Sequence, residues 1–168
     1  MRMKSVGNKR DLMAVVIYND EATNSIPVGA PVVMSYSGTQ DGLAVVLPAT
    51  AADVKQTSLG FGVCLGDGKG GALLAKGYGE AQVFGHCPNV KLLRTRAAST
   101  DAFVSIIAGA LLKAESVSNC FQTAASVGAS VQMPAAVLAS SISAAGSAIS
   151  SQSILSVTQM VAAFLRMM

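Results

Sequence analysis

The sequence predicts a mainly β protein: two related small β-sandwich or barrel-like units in one compact chain of 168 residues, with short helix or loop insertions. Three observations predict it. Short runs of Val, Leu, Ile, Phe and Ala are separated by Gly, Pro, Asn and Asp, the punctuation of strands and turns. Apolar spacing of the helical i, i+3, i+4 kind never lasts long. The order of the runs in the first half is replayed in the second.

The replay can be followed run by run. Pro27-Val28-Gly29-Ala30-Pro31-Val32-Val33-Met34 is answered by Ile107-Ala108-Gly109-Ala110-Leu111-Leu112. Gly42-Leu43-Ala44-Val45-Val46-Leu47 is answered by Asn119-Cys120-Phe121-Gln122-Thr123-Ala124. Gly60-Phe61-Gly62-Val63-Cys64-Leu65 is answered by Pro134-Ala135-Ala136-Val137-Leu138-Ala139, and Glu80-Ala81-Gln82-Val83-Phe84 by Val161-Ala162-Ala163-Phe164-Leu165. The offset is 80 from Gly29 to Gly109, 74 from Val63 to Val137 and 80 from Phe84 to Phe164. A near-constant offset marks a duplicated structural unit. The expected organisation is a flexible basic arm over 1–12, a first β unit over 13–98 and a second over 99–168, with a Ser/Ala-rich insertion near 140–153.

Each element has a local reason. Residues 13–18 are β-rich and form the first strand. Pro27 and Pro31 bracket Gly29; neither donates to a ladder, so they belong at a turn and at the first position of a strand. Residues 32–36 run out, Asp41-Gly42 turns the chain back, and 43–47 return as the hairpin partner, stopped by Pro48. Residues 49–53 suit a short helical turn or loop excursion. Residues 60–65 form the next strand, with Gly60 and Gly62 thinning one face as at a close backbone approach. Residues 66–71 are a loop tip. Residues 73–76 and 81–84 carry the sheet onward, and 90–95 close the first unit. In the second half Ala content favours helix, yet dense Ser, Val, Ile and Thr and the intruding Gly128 and Gly146 oppose it. The replay decides for strands at 111–112, 120–121 and 136–138, and for a final buried strand over 160–168.

Composition narrows the function. Hydrophobic residues make up 51% and charged residues 12%, against about 25% charged in ordinary soluble domains. So few charges predict apolar surface that a neighbour covers. A net charge of +3, concentrated in Arg2, Lys4, Lys9, Arg10 and the group Lys91, Arg94, Arg96, has no interleaved aromatics and does not argue for nucleic acid. Cys64, Cys87 and Cys120 are odd in number and scattered, so they read as small core hydrophobes from a reducing compartment. No apolar run reaches the ~20 uncharged residues of a membrane span, and the apolar stretch at 12–18 ends without a cleavage site.

Candidate chemistry is thin. Gly60-Phe61-Gly62-Val63-Cys64-Leu65-Gly66 misses the dinucleotide fingerprint by one residue and opens a strand, whereas phosphate needs a helix N-terminus. In the loop that follows, Gly71 stands where a P-loop needs Ser or Thr. His86 and Cys87 are neighbours whose side chains leave opposite faces of a strand, and no Cys pair has zinc spacing. The reading is no enzyme, no catalytic residue, no metal and no cofactor. An enzyme assembled from His86 or from carboxylates that meet in space is the weaker competitor.

Ile26-Pro27-Val28-Gly29-Ala30-Pro31-Val32, Asp41-Gly42-Leu43-Ala44-Val45, Gly60-Phe61-Gly62-Val63-Cys64-Leu65-Gly66-Asp67 and Gly79-Glu80-Ala81-Gln82-Val83-Phe84-Gly85, in that order, resemble the head decoration, or capsid cement, proteins of tailed bacteriophages. The resemblance runs from about Ala14 onward. The basic first ten residues and the Ser/Ala segment at 140–153 depart from it. It implies a structural virion protein, made in the host bacterial cytoplasm, that binds the outer surface of an icosahedral head as a homotrimer. Its implied partners are the major capsid protein and itself, with no direct nucleic acid and no membrane. On this reading Arg2, Lys4, Lys9, Arg10 and Leu12 are the capsid-contact candidates. The alternative is another virion surface part, such as a head-fibre base or host-binding module.

Overall fold

Nine strands carry the residues that the computed structural model describes, which are 12–35, 43–48, 61–95, 106–115, 119–123, 136–139, 141–142 and 156–166. They are β1 (Met13–Asn19), β2 (Pro31–Met34), β3 (Ala44–Val46), β4 (Gly62–Gly66), β5 (Tyr78–Thr95), β6 (Leu111–Glu115), β7 (Cys120–Thr123), β8 (Ala136–Leu138) and β9 (Ser156–Arg166). The chain is mainly β, as its turn chemistry and apolar runs require. The suggested helical turn at 49–53 and most of the insertion at 140–153 lie outside the described residues.

The strands close two rings that share β5. In the first, β1 pairs with β3 in parallel, then β3–β2, β2–β4, β4–β5 and β5–β1 pair antiparallel. In the second, β5 pairs with β7 in parallel, then β7–β6, β6–β8, β8–β9 and β9–β5 pair antiparallel. The two ladders have the same order and the same sense at every step. Closure leaves neither ring a free edge, which removes the usual route to uncontrolled strand addition.

Register makes the equivalence residue-specific. Pro31 faces Val63 as Leu111 faces Val137, and Val63 faces Gln82 as Val137 faces Phe164. Ala14 faces Gln82 as His86 faces Phe164. The turns before β2 and β6 match as well. Gly29 N–H donates to the Cys64 carbonyl at 2.8 Å and Gly109 N–H to that of Leu138 at 2.9 Å. The two glycines have φ of 84° and 89°, where a Cβ is strained. A lone bridge, Ile26 to Leu73 in one unit and Ile106 to Ile142 in the other, finishes each copy. The sequence offsets of 80 and 74 hold. The third does not: Phe164 is equivalent to Gln82, two positions before Phe84, since Ala14 faces Gln82 as His86 faces Phe164.

Each ring has its own core, built from equivalent positions. Val15, Ile17, Val32, Val45, Cys64, Ala81 and Val83 fill the first. Cys87, Val90, Leu112, Phe121, Leu138, Ala163 and Leu165 fill the second in the same order. Fully burying a side chain of this size contributes ~1.5–3 kcal/mol, so each ring is held chiefly by its interior.

Several expectations change. Residues 81–84 and 90–95 belong to one continuous 18-residue strand. Residues 90–95 pair with β9 in the second ring instead of closing the first. Residues 73–76 do not form a strand: Lys76 sits at φ 56° and Gly77 N–H closes a turn onto the Leu74 carbonyl. The last strand is only half buried, since Val161, Ala163 and Leu165 point inward while Met160 and Phe164 are exposed.

The units differ at one polar knot. The buried Asn19 Nδ2 donates to the carbonyls of Asn24, Leu73 and Leu74 at 3.0, 3.1 and 3.0 Å, and its Oδ1 accepts from Glu21 N–H at 3.0 Å. Glu21 Oε1 accepts from Leu47 N–H at 2.8 Å. The second unit has Leu92 in the equivalent register position, packed in its core. Asn19→Ala is expected to cost about 2–3 kcal/mol in urea unfolding, because buried carbonyls lose their donors. The two turn glycines give a second prediction. A Cβ on Gly109 meets open space, while one on Gly29 would lie 2.8 Å from Met160 Cε and 2.9 Å from the Asn89 carbonyl oxygen. In dilute protein, Gly109→Ala should cost about 1–2 kcal/mol and Gly29→Ala about 3 kcal/mol or more, strain plus overpacking.

Candidate interaction surface

The groups that invited a chemical reading are used structurally. His86 and Cys87 do leave opposite faces of β5. Cys87 is buried in the second core, and His86 lies edge-on to Phe164 with ring centroids 5.3 Å apart. All three cysteines are buried. Burial pushes the Cys64 and Cys87 thiols up, away from the reactive thiolate form. Among the described residues no three His, Cys, Asp or Glu side chains gather where they would hold a metal ion. Among the same residues no helix is long and apolar enough to cross a membrane.

The glycine-rich loop is occupied by its own carboxylate. Asp67 Oδ1 accepts from the amides of Lys69 and Gly71 at 2.8 and 3.0 Å, while Asp67 N–H donates to the Gly71 carbonyl at 3.2 Å. Amides that would otherwise cradle an anion are spent inside the turn, and they hold the Asp67 carboxyl below its ordinary value. A similar exposed device joins Asp20 to Lys76 at 3.0 Å, with Ser35 Oγ donating to Asp20 at 2.8 Å. The Lys76 and Ser35 hydrogen bonds lower the Asp20 pKa.

Of the sequence-selected contact residues, Leu12 is half-buried just ahead of β1, and Arg2, Lys4, Lys9 and Arg10 lie outside the described residues. In the second basic group Lys91 is half-buried and Arg94 is buried; Arg96 lies outside the described residues, as does Asp101.

Two outer surfaces rich in exposed hydrophobic side chains stand out among the described residues. The first belongs to ring one. Val16, Tyr18, Tyr78 and the exposed Glu80, which stands opposite Val16, share the outward face of β1 and β5, and the turn leading into Tyr78 carries Leu74. Val16 is 43% exposed, Leu74 69% and Tyr78 63%. The Tyr18 and Tyr78 rings pack against each other in a tilted arrangement, 5.1 Å between centroids and 53° between planes, and we refer to them with Val16 and Leu74 as the tyrosine plate. The second surface belongs to ring two. His86, Phe164, Val137 and Leu111 stand directly opposite one another across β5, β9, β8 and β6. Residues so paired project from the same face, forming one row, and the turn beside it carries the exposed Ile107. The 12% charge content foreshadows such surfaces, but their positions follow only from register.

Comparison with protein-family models, with curated proteins and with solved structures finds no match to this chain. The surfaces are therefore read from their own chemistry. The occupied loop yields a pH prediction. A carboxyl whose folded pKa is depressed contributes stability above its unfolded pKa, and that contribution disappears as pH falls through the folded value. The stability difference between wild type and Asp67→Asn should therefore be constant at neutral pH. It should shrink as pH drops below the ordinary carboxylate value of 3.8, as read from thermal unfolding across pH 2–7.

Proposed function

We propose that this chain is a capsid decoration protein: it binds the outer surface of an icosahedral phage head and stabilises the major capsid lattice as a homotrimer. The observation that carries the reading is the pair of exposed apolar faces on a duplicated ring framework, in a chain whose ordered motifs resemble those of head decoration proteins. Rigid closed rings suit a part that must resist deformation, because their backbone bonds are satisfied internally. Broad apolar faces suit a part that functions only within an assembly.

The binding physics is additive. A single contact with one shell subunit can be smaller than the ~1,200 Å² of a standard stable interface when an oligomer engages several subunits at once. A protein that binds only the expanded shell stabilises that state by mass action. The basic arm, with Arg2, Lys4, Lys9, Arg10 and Leu12, is assigned to the shell contact, since it leads directly into β1 of the first ring.

The test is co-sedimentation of purified protein with expanded and unexpanded empty heads of the cognate phage, followed by imaging of the pellet. Density on the outer surface of expanded heads, and a rise in their thermal resistance, is the expected result. Removing residues 1–11 should lower occupancy at least ~10-fold, the effect of losing about 1.4 kcal/mol per contact. Free protein that ignores both head forms but binds host cells would transfer the reading to a host-binding surface module.

A further inference from the structure

The duplication is complete in the ladders and broken in solvent exposure, and the break has a direction. In ring one the row Ala14, Gln82, Val63, Pro31 is the counterpart of the row His86, Phe164, Val137, Leu111 in ring two. Three of the four members of the first row are covered: Gln82 is 4% exposed, Val63 0%, and Pro31 is buried, while Ala14 is half-buried. The second is more open, with Phe164 52% and Leu111 40% exposed and His86 and Val137 half-buried. Ring two itself covers the first row. Val63 packs within the apolar cluster of Cys87, Val90 and Leu92, although its strand belongs to ring one. The turn beside it seats on ring two, where Gly29 O accepts from Lys91 N–H at 2.9 Å and the Gly29 Cα faces Met160 and Asn89.

The receiving surface also has a counterpart. Lys91 and Met160 face each other across β5 and β9 as Tyr18 and Tyr78 do across β1 and β5. Inside the chain, then, the row-and-turn surface of ring one rests on the Lys91/Met160 surface of ring two. The corresponding pair left exposed is the row-and-turn surface of ring two, with Ile107, Leu111 and Phe164, and the tyrosine plate of ring one. These hold six of the large exposed hydrophobics: Ile107, Leu111 and Phe164 on one side, Val16, Leu74 and Tyr78 on the other. A Cβ on Gly109 would meet nothing within 4 Å, where one on Gly29 would meet the neighbouring ring.

We propose that a second copy of this chain binds head to tail, with ring two of one copy docking on ring one of the next and repeating between copies the contact that joins the rings within each copy. One element is not repeated. Tyr18 N–H already donates to the Leu43 carbonyl at 2.9 Å, so the copy-to-copy contact lacks the Lys91–Gly29 hydrogen bond and is made by side chains, most of them apolar, with His86 on the docking row and Glu80 on the receiving face. Such a contact is heterologous, and successive copies close into a ring when the rotation allows. A closed ring of three copies would hold six alternating rings of strands. The inference stands on the internal duplication alone and does not require the capsid reading.

The experiment uses the full chain and needs no shell. Phe164→Asp removes the docking row and Tyr78→Asp the receiving plate. Both positions are exposed, and circular dichroism checks that each variant folds; Ile107→Asp and Leu74→Asp serve if either does not. By sedimentation velocity the wild type should assemble. Each variant alone should be monomeric, its self-association weakened at least ~30-fold, the loss typical of a central apolar anchor. An equimolar mixture should form 1:1 dimers, because one variant retains the plate and the other the row. A monomeric wild type at 100 µM (about the upper range of ordinary handling), a Tyr78→Asp variant that assembles like wild type, or a mixture that stays monomeric would each overturn the proposal. The first result would leave head binding to be judged by its own assay.

Discussion

Everything in this molecule hangs from one strand doing two jobs. The first part of β5 is the last strand of ring one, closed against β1 and β4; the remainder is the first strand of ring two, closed against β7 and β9. The changeover is local. Gly85 takes φ 93°, and Gln82 Nε2 spans it, donating to the carbonyls of Phe84 and His86 at 3.1 and 3.0 Å. Between two independent barrels a linker would permit relative motion. Here backbone hydrogen bonds continue through the junction, so the relation between the rings is part of the fold.

Sharing a strand forces the copies to diverge. Ring one must present its outer row to ring two, and the residues there are short or hydrogen-bonded: Ala14, Gln82, Val63 and Pro31. The equivalent row on ring two carries Phe164 and Leu111, which stay exposed. The polar knot at Asn19 and Glu21 is a second divergence. It ties the turns at 20–26 and 73–77 to β1 with side-chain donors, whereas ring two fills the equivalent Asn19 position with Leu92. Buried polar groups are tolerated only when their bonds are made, and the Asn19 amide makes four. The knot sits beneath the turn that carries Leu74 and Tyr78, so a buried network fixes the shape of an exposed apolar surface.

The functional reading follows from where the apolar area ends up. A low charge content by itself would fit a protein with a polar uncharged exterior. Register separates the possibilities by gathering six large exposed hydrophobics into two faces, one on each ring, while Phe84 and Met160 lie outside them. Meanwhile the motifs that suggested ligand chemistry are satisfied from within: Asp67 fills its own amide nest, and Cys64 and Cys87 are buried with raised thiol pKa values. Exposed hydrophobic faces, with the capsid assignment proposed for them, are the candidate interaction surfaces among the described residues.

Much of the fold was legible in the sequence. Gly29 and Gly109, each followed by Ala and a β-rich run, announced the same turn twice, and the offsets of 80 and 74 survived because they fall where glycine and strand spacing are both constrained. What remained hidden depended on pairing. Residues 81–84 and 90–95 read as separate strands because Gly85, Pro88 and Asn89 look like turn residues; only their ladders to β9 show the bulge that absorbs them. Phe164 looked equivalent to Phe84 because like residues attract alignment, but a two-residue slip makes Gln82 its true counterpart. The sequence by itself determined the strand class, the duplication and the scarcity of charge, since these are properties of local backbone preference and composition. Only the tertiary structure decided that one strand serves both rings and which apolar faces stay open, because ring closure and burial are set by contacts between residues far apart along the chain.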